Sequence, residues 1–331
     1  MRKFLVACLL LIGLGHAAFA QSTALKRIGY VRTAAPWLMD VQDGRLDEID
    51  GHSVKWIQFQ TSAEVALALD AGGIDAGITS SAAMAAAITR GLDLQLIWVV
   101  NVVNARHVVI FRDGTGIERT RPATMAGKRV GVTFLSAAHD ALLTALSANG
   151  LSSEAVRLVN LPPADIEAAW KNGRVDAVCL GGTRTAGVLA AIAGERILLE
   201  PSADAPFHGL VASPAFIARD GRFLTSLVAV LANAGAPRTD PSPRGRPARG
   251  RDPREREDES PVDPGQYSFP TLAEQLGAQW LGGPGEPGAA RRLAATAERV
   301  SPVRPPRVLV DYRASIATEL LTKVAATSPS R

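Results

Sequence analysis

Cysteine is almost missing from this chain. Cys8 and Cys179 are its only two cysteines in 331 residues, and Cys8 lies in a segment read below as a leader. No intramolecular disulfide can therefore staple the remainder. Cys179, inside the apolar run "DAVCLGG", reads as core rather than nucleophile. The strings that announce catalysis are missing too: there is no G-x-S-x-G elbow, no H-E-x-x-H pair and no phosphate loop. His52, His107, His139 and His208 are not spaced to share a metal ion. No catalytic residue, cofactor or metal is expected. The net charge of +4 comes without a basic helix or an aromatic-interleaved stripe, so nucleic acid is not an expected partner.

What the chain does have begins with a leader. Residues 1–20, "MRKFLVACLLLIGLGHAAFA", carry a basic start (Arg2, Lys3), an apolar run from Phe4 to Leu14 and the small exit Ala18-Phe19-Ala20. That is the pattern of a secretory signal peptide, cleaved after Ala20. "LVAC" imitates a lipoprotein box at Cys8, but most of the apolar run follows it, so lipidation is not expected. No second long apolar run follows.

The body of the chain repeats itself. "AGGIDAGITSSA" (71–82) returns about a hundred residues later as "NGRVDAVCLGGT" (172–183). A strand, a short polar or proline turn and a helix precede each copy: "VKWIQFQTSAEVALALDA" (54–71) and "VRLVNLPPADIEAAWKN" (156–172). Each half also opens alike, with "RIGYVRTAAPW" (27–37) and "KRVGVTFLSAAHDALL" (128–143) reading strand, small-residue loop, helix. Strand–helix–strand repetition implies right-handed crossovers and mostly parallel sheets. The expected fold class is α/β, a two-lobed clamshell with a cleft between the lobes. Residues 21–111 form the first lobe and 112–204 the second. Residues 205–331 return to the first lobe and add C-terminal helices. Crossings are expected at "ARHVVIFRD" (105–113) and "FHGLVASPAFIARD" (207–220), the latter with a helix starting near Pro214.

One segment breaks the pattern. Residues 236–260 hold seven Arg, six acidic residues and five Pro, a composition unable to bury enough surface to offset its ordering entropy. The stretch 236–265 reads as a disordered insertion, or as an anomaly of the kind a GC-rich gene produces when read out of frame.

Polar groups gather where the strands of open α/β sheets end, which is where such sheets bind ligands. Arg32 and Thr33 follow the first strand and Ser62 the second. Ser80 and Ser81 end the third, Ser136 and Ala137 open the second lobe's first helix, and Gly181, Gly182 and Thr183 end its later strand. Hydroxyls and free amides at helix N-termini can receive an anion, although N-capping alone accounts for any single one of them.

Three of these stretches also carry a family likeness. "MAGKRVGVTFLSAAHDALLTAL", "VRLVNLPPADIEAAWKNGRVDAV" and "QTSAEVALALDAGGIDAGITSSA" resemble the substrate-binding proteins of taurine and alkanesulfonate ABC importers, in a wider group that also serves nitrate and thiamine precursors. The likeness runs from Arg27 to Asn233 and returns in "YSFPTLAEQL" and "VDYRASIATELL". It implies a monomeric periplasmic protein that closes on a small anionic solute, taurine or a related sulfonate, and delivers it to a membrane permease and its ATPase. By that resemblance Ser62, Ser80, Ser81 and Ser136 face the sulfonate with His139 nearby, and Arg32, Thr33, Ala137, Gly181, Thr183 and His208 complete the ligand set. Where taurine binders tend to carry acids for the ammonium, this chain has Ala35, His107 and His208, and where the family has an aromatic it has Gly181. Another small anion or a thiamine-precursor pyrimidine is the alternative ligand. The resemblance also leaves open a pyrimidine-synthase-like enzyme, which would need a cofactor-anchoring lysine or metal ligands in the cleft.

Overall fold

The computed structural model describes residues 25–33, 35–104, 106–181, 194–199, 204–234, 266–283, 285–300 and 310–327. The expectations for the leader, for 236–265 and for Gly182 and Thr183 lie outside the described residues.

Two sheets organise the chain. In the first lobe, β1 (Lys26–Val31) runs parallel to β3 (His52–Phe59) and to β4 (Ala76–Ser80). The sheet continues through antiparallel β11 (Phe207–Ala212), β5 (Gln95–Val103) and β12 (Tyr267–Ser268), and β2 (Glu48–Ile49) closes the opposite edge. In the second lobe, β7 (Arg129–Val132) lies parallel to β8 (Arg157–Asn160) and β9 (Ala177–Leu180), with β6 (Val108–Phe111) and β10 (Glu195–Leu198) antiparallel beyond. β6 is thus a strand of the second sheet. The chain changes lobes between Val103 and Val108, earlier than the boundary expected after residue 111, and returns between Leu198 and Phe207.

The repeated phrase has a physical cause. In each lobe one aspartate ahead of a parallel strand clasps an arginine in the first two residues of its neighbour. Asp75 Oδ2 accepts from the Arg27 backbone N–H (2.7 Å) and Oδ1 from its guanidinium (3.0 Å). Asp176 does the same with Arg129, at 2.8 and 2.6 Å. These bonds hold the Asp176 carboxyl below its ordinary range, the Arg129 side-chain bond being the largest cause. The helix before each aspartate ends the same way. α2 (Ser62–Asp70) and α5 (Ile166–Lys171) both stop at a glycine with φ +66°, Gly72 and Gly173. The following amides reach back to Ala68 O (2.8 Å) and Ala169 O (3.0 Å). This is the left-handed C-terminal stop that favours glycine. One residue before each aspartate, Ile74 or Val175 leans on a strand glycine: a Cβ on Gly29 would sit 2.5 Å from Ile74 Cδ1, and one on Gly131 would sit 3.2 Å from Val175 Cγ1.

The remaining helices cover the sheets. α1 (Trp37–Gln42) places Trp37 against Trp56 and Tyr30. α6 (Pro214–Asn233) starts at Pro214 behind the N-cap Ser213 and is tied to β1 by a buried Lys26–Asp220 pair at 2.6 Å. The C-terminal third completes the first lobe's core. α7 (Leu272–Gln275) brings in Gln275, fully buried, whose amide both accepts from and donates to the Val99 backbone. α8 (Gly288–Val300) and α9 (Thr318–Thr327) contribute Leu293, Leu320 and Leu321 to the same core. Between the lobes stands α3 (Ser81–Thr89). Met84 and Ala85 face the first core, while Ala82 joins the second beside Val300.

If the strand glycines exist to admit these side chains, Gly131→Val is expected to overpack the cluster between the second sheet and α5, where its Cβ would also lie 2.6 Å from Leu161 Cδ1. Such overpacking destabilises by about 1–3 kcal/mol. Urea unfolding reads the loss, and an unchanged midpoint would show that the glycine has no packing role.

Candidate ligand-binding cleft

A cavity of about 160 Å³ lies between the two sheets. The first lobe lines it with Val31, Arg32 and Thr33 at the end of β1, with Phe59 to Ser62 where β3 passes into α2, and with Val103, His208 and Tyr267. The second lobe lines it with Thr133, with Ser136, Ala137 and Ala138 at the start of α4 (Ala137–Ala148), with Pro163 and Ile166, and with Cys179, Leu180 and Gly181. His107 comes from the first crossing.

Two helices open into this space from opposite lobes. Thr61 caps α2 in a reciprocal box with Glu64, its hydroxyl accepting from the Glu64 N–H at 3.3 Å. Ser136 caps α4, accepting from the His139 N–H at 3.2 Å and donating to Thr133 O at 2.6 Å. The first-turn amides, including those of Ser62, Ala137 and Ala138, have no intrahelical acceptor and carry the positive end of the helix dipole. The Ser62 hydroxyl accepts from the Ser80 N–H at 3.2 Å.

The other expected ligand residues sit differently. Ser80, Ser81 and His139 are not among the lining residues. Ser80 caps α3 and donates across the lobes to Leu135 O at 2.6 Å. Ser81 accepts the Phe207 N–H at 3.3 Å. His139 Nδ1 accepts the Leu135 N–H at 3.2 Å, its ring stacked on Phe134 at 4.8 Å. Leu135, at φ +58°, is therefore gripped on both faces of its residue: its N–H by the second lobe and its carbonyl by the first.

Asn101 is the group that residue-by-residue reading passes over. It is fully buried on β5, donates to Thr33 Oγ1 at 3.0 Å and lies 2.9 Å from His208 Nδ1. The signal was present: one amide inside the otherwise apolar "LIWVVNVV". His107 explains Gly181. An ideal Cβ there would fall 2.6 Å from His107 Nε2 and closer still to Cδ2, so the imidazole fills the space a side chain would take. Cys179 is buried beside Ala138 O, and burial pushes its thiol up to about 12, which leaves it a thiol.

Desolvation pushes His107, His139 and His208 from the ordinary 6.5 down to about 4. Their rings are neutral at pH 7. Between pH 6.5 and 4 the unfolded chain binds more protons than the folded one, so stability is full above pH 6.5 and falls with acidification. Unfolding free energy measured without ligand is expected to drop between pH 7 and 4.5, with a slope of up to about 1.4 kcal/mol per pH unit for each ring. A flat profile would show that the rings are not desolvated.

Among the described residues no three His, Cys, Asp or Glu side chains cluster to hold a metal, and no helix is long and apolar enough to cross a membrane. Against known proteins, the taurine-binding periplasmic protein of Escherichia coli (strain K12) is 27% identical over 167 residues, 50% of this chain and 51% of that one. The alignment thus spans about half the length of that relative. Among solved structures, the periplasmic aliphatic sulphonate binding protein SsuA of Escherichia coli superposes with a TM-score of 0.59 at 22% identity, over 90% of this chain and 99% of its own. The alkanesulfonate-binding protein SsuA of Xanthomonas axonopodis pv. citri, bound to MOPS, gives 0.55 at 21%, over 92% and 91%. These likenesses fix the two-lobed periplasmic-binding-protein architecture. A family model described as NMT1-like matches residues 20–243, more than half of the chain, and with the doubled lobes and the cleft between them this places the protein in the NMT1-like family.

Proposed function

We propose that the protein captures taurine or a related sulfonate in the periplasm as the monomeric solute-binding component of an ABC importer and delivers it to the permease, without catalysis. One observation carries the reading: helix starts from two different lobes, at Ser62 and at Ala137, line the same cavity. A sulfonate has three oxygens to share, so it can accept from both starts at once, and only when the lobes are together. A ligand that gains contacts in the closed form alone shifts the population towards that form, and the closed form is what a permease can recognise. Amides at helix starts hold an anion without a buried counter-charge.

Thermal denaturation tests this. A saturating sulfonate, at about 100 times its Kd, is expected to stabilise the protein by about 2.7 kcal/mol, while sulfate-free buffer controls show no shift. Ala137→Pro is the informative variant. Proline is tolerated at the first position of a helix, so the change removes one amide donor with little cost to α4. A hydrogen bond to a charged acceptor contributes about 1.5–3 kcal/mol, so affinity is expected to fall at least tenfold with the unliganded melting temperature nearly unchanged. Equal affinity in the variant would remove α4 from the anion site.

A further inference from the structure

Three buried side-chain polar atoms lack a hydrogen-bond partner among the described residues: Trp37 Nε1, His107 Nε2 and Arg112 Nη2. Of these residues only His107 lines the cleft cavity, and it is 5% exposed. A buried polar atom left dry in an apolar wall is destabilising unless a ligand atom reaches it. Its neighbours show that the ring's place is built. Gly181 clears the volume that the imidazole occupies, an ideal Cβ there falling 2.6 Å from His107 Nε2.

His208 supplies a second, differently tuned nitrogen. The Asn101 amide donates through Nδ2 to Thr33 Oγ1, which turns its Oδ1 towards the His208 ring. His208 Nδ1 therefore carries the proton, and in the neutral ring Nε2 is left as a lone-pair acceptor. The same cavity contains no carboxylate among its described lining residues. A ligand ammonium would enter with no counter-charge, a costly burial. An uncharged group that gives one hydrogen bond to His208 Nε2 and accepts one from His107 in its Nε2–H tautomer satisfies both rings. That group is a hydroxyl.

Resting on the sulfonate reading above, we propose that His107 and His208 form a second subsite for an uncharged hydroxyl, so that the preferred ligand is a short hydroxyalkanesulfonate rather than an aminoalkanesulfonate or a plain alkanesulfonate. The cavity of about 160 Å³ is small beside the roughly 300–1,000 Å³ pockets that take drug-sized ligands, which favours a short chain.

Three probes of equal length decide it by titration calorimetry on the purified protein: 2-hydroxyethanesulfonate, 2-aminoethanesulfonate and ethanesulfonate. The hydroxy compound is expected to bind about tenfold more tightly than ethanesulfonate, the upper range for one neutral hydrogen bond, with the amino compound no tighter than ethanesulfonate. In His107→Leu and in His208→Leu the hydroxy-to-plain affinity ratio is expected to fall towards one, and His107→Gln to recover part of it. The ranking in the unmutated protein stands by itself if a variant fails to fold. Ethanesulfonate equal to the hydroxy compound, or the amino compound tighter than it, overturns the hydroxyl subsite and leaves sulfonate capture intact. No binding of any of the three overturns sulfonate capture and the subsite with it.

Discussion

The fold depends on a clasp used twice. Asp75 holds both the backbone and the side chain of Arg27, and Asp176 holds those of Arg129 in the same way. The guanidinium halves of these pairs are partly exposed, so their Coulomb share in water is small. The backbone bonds matter more, because they fix where one parallel strand begins relative to its neighbour. With the amino ends of β1 and β4, and of β7 and β9, set in register, the opposite ends of those strands release their loops at one level. Of the helices that follow, α4 after β7 starts at the cleft, beside α2, which follows the neighbouring β3. The level at which the cleft is lined at one end of each sheet is thus set by an ion pair at the other.

Much of this was open to direct reading of the residues, for a definite reason. The Gly–x–apolar–Asp phrase recurs because each of its letters meets a local geometric demand: a left-handed stop, a side chain laid on a glycine, and a clasp. Local demands leave local traces. The apolar runs likewise gave strands at 52–59 and 157–160 and a helix starting at Pro214. What local pattern does not carry is partnership. "HVVIF" reads as a strand in either lobe, and only its pairing with β9 and β10 assigns it to the second.

The site divides along the same line. Arg32, Thr33, Ser62, Ser136, Ala137, Gly181 and His208 line the cavity, whereas Ser80 and Ser81 spend their hydroxyls on a cap, a cross-lobe bond and a crossing strand. A serine at a helix start looks the same in both cases, because the direction in which the helix leaves is a tertiary fact. The lobes are also joined behind the cleft, where Arg299 forms a two-pronged pair with buried Asp140 at 2.7 and 3.2 Å. Asp140 follows His139 on α4, so a helix whose start lines the cleft is braced by one from the far end of the chain.

The way the imidazole of His107 occupies the gap beside Gly181 links two positions far apart in the chain. Any residue bulkier than glycine at 181 must evict the ring, and loss of the ring opens a hole that glycine cannot fill. Neither position can therefore change identity by itself without harm. Reshaping this wall of the cleft demands a coordinated exchange of both, which makes its present form hard to erode by single substitutions.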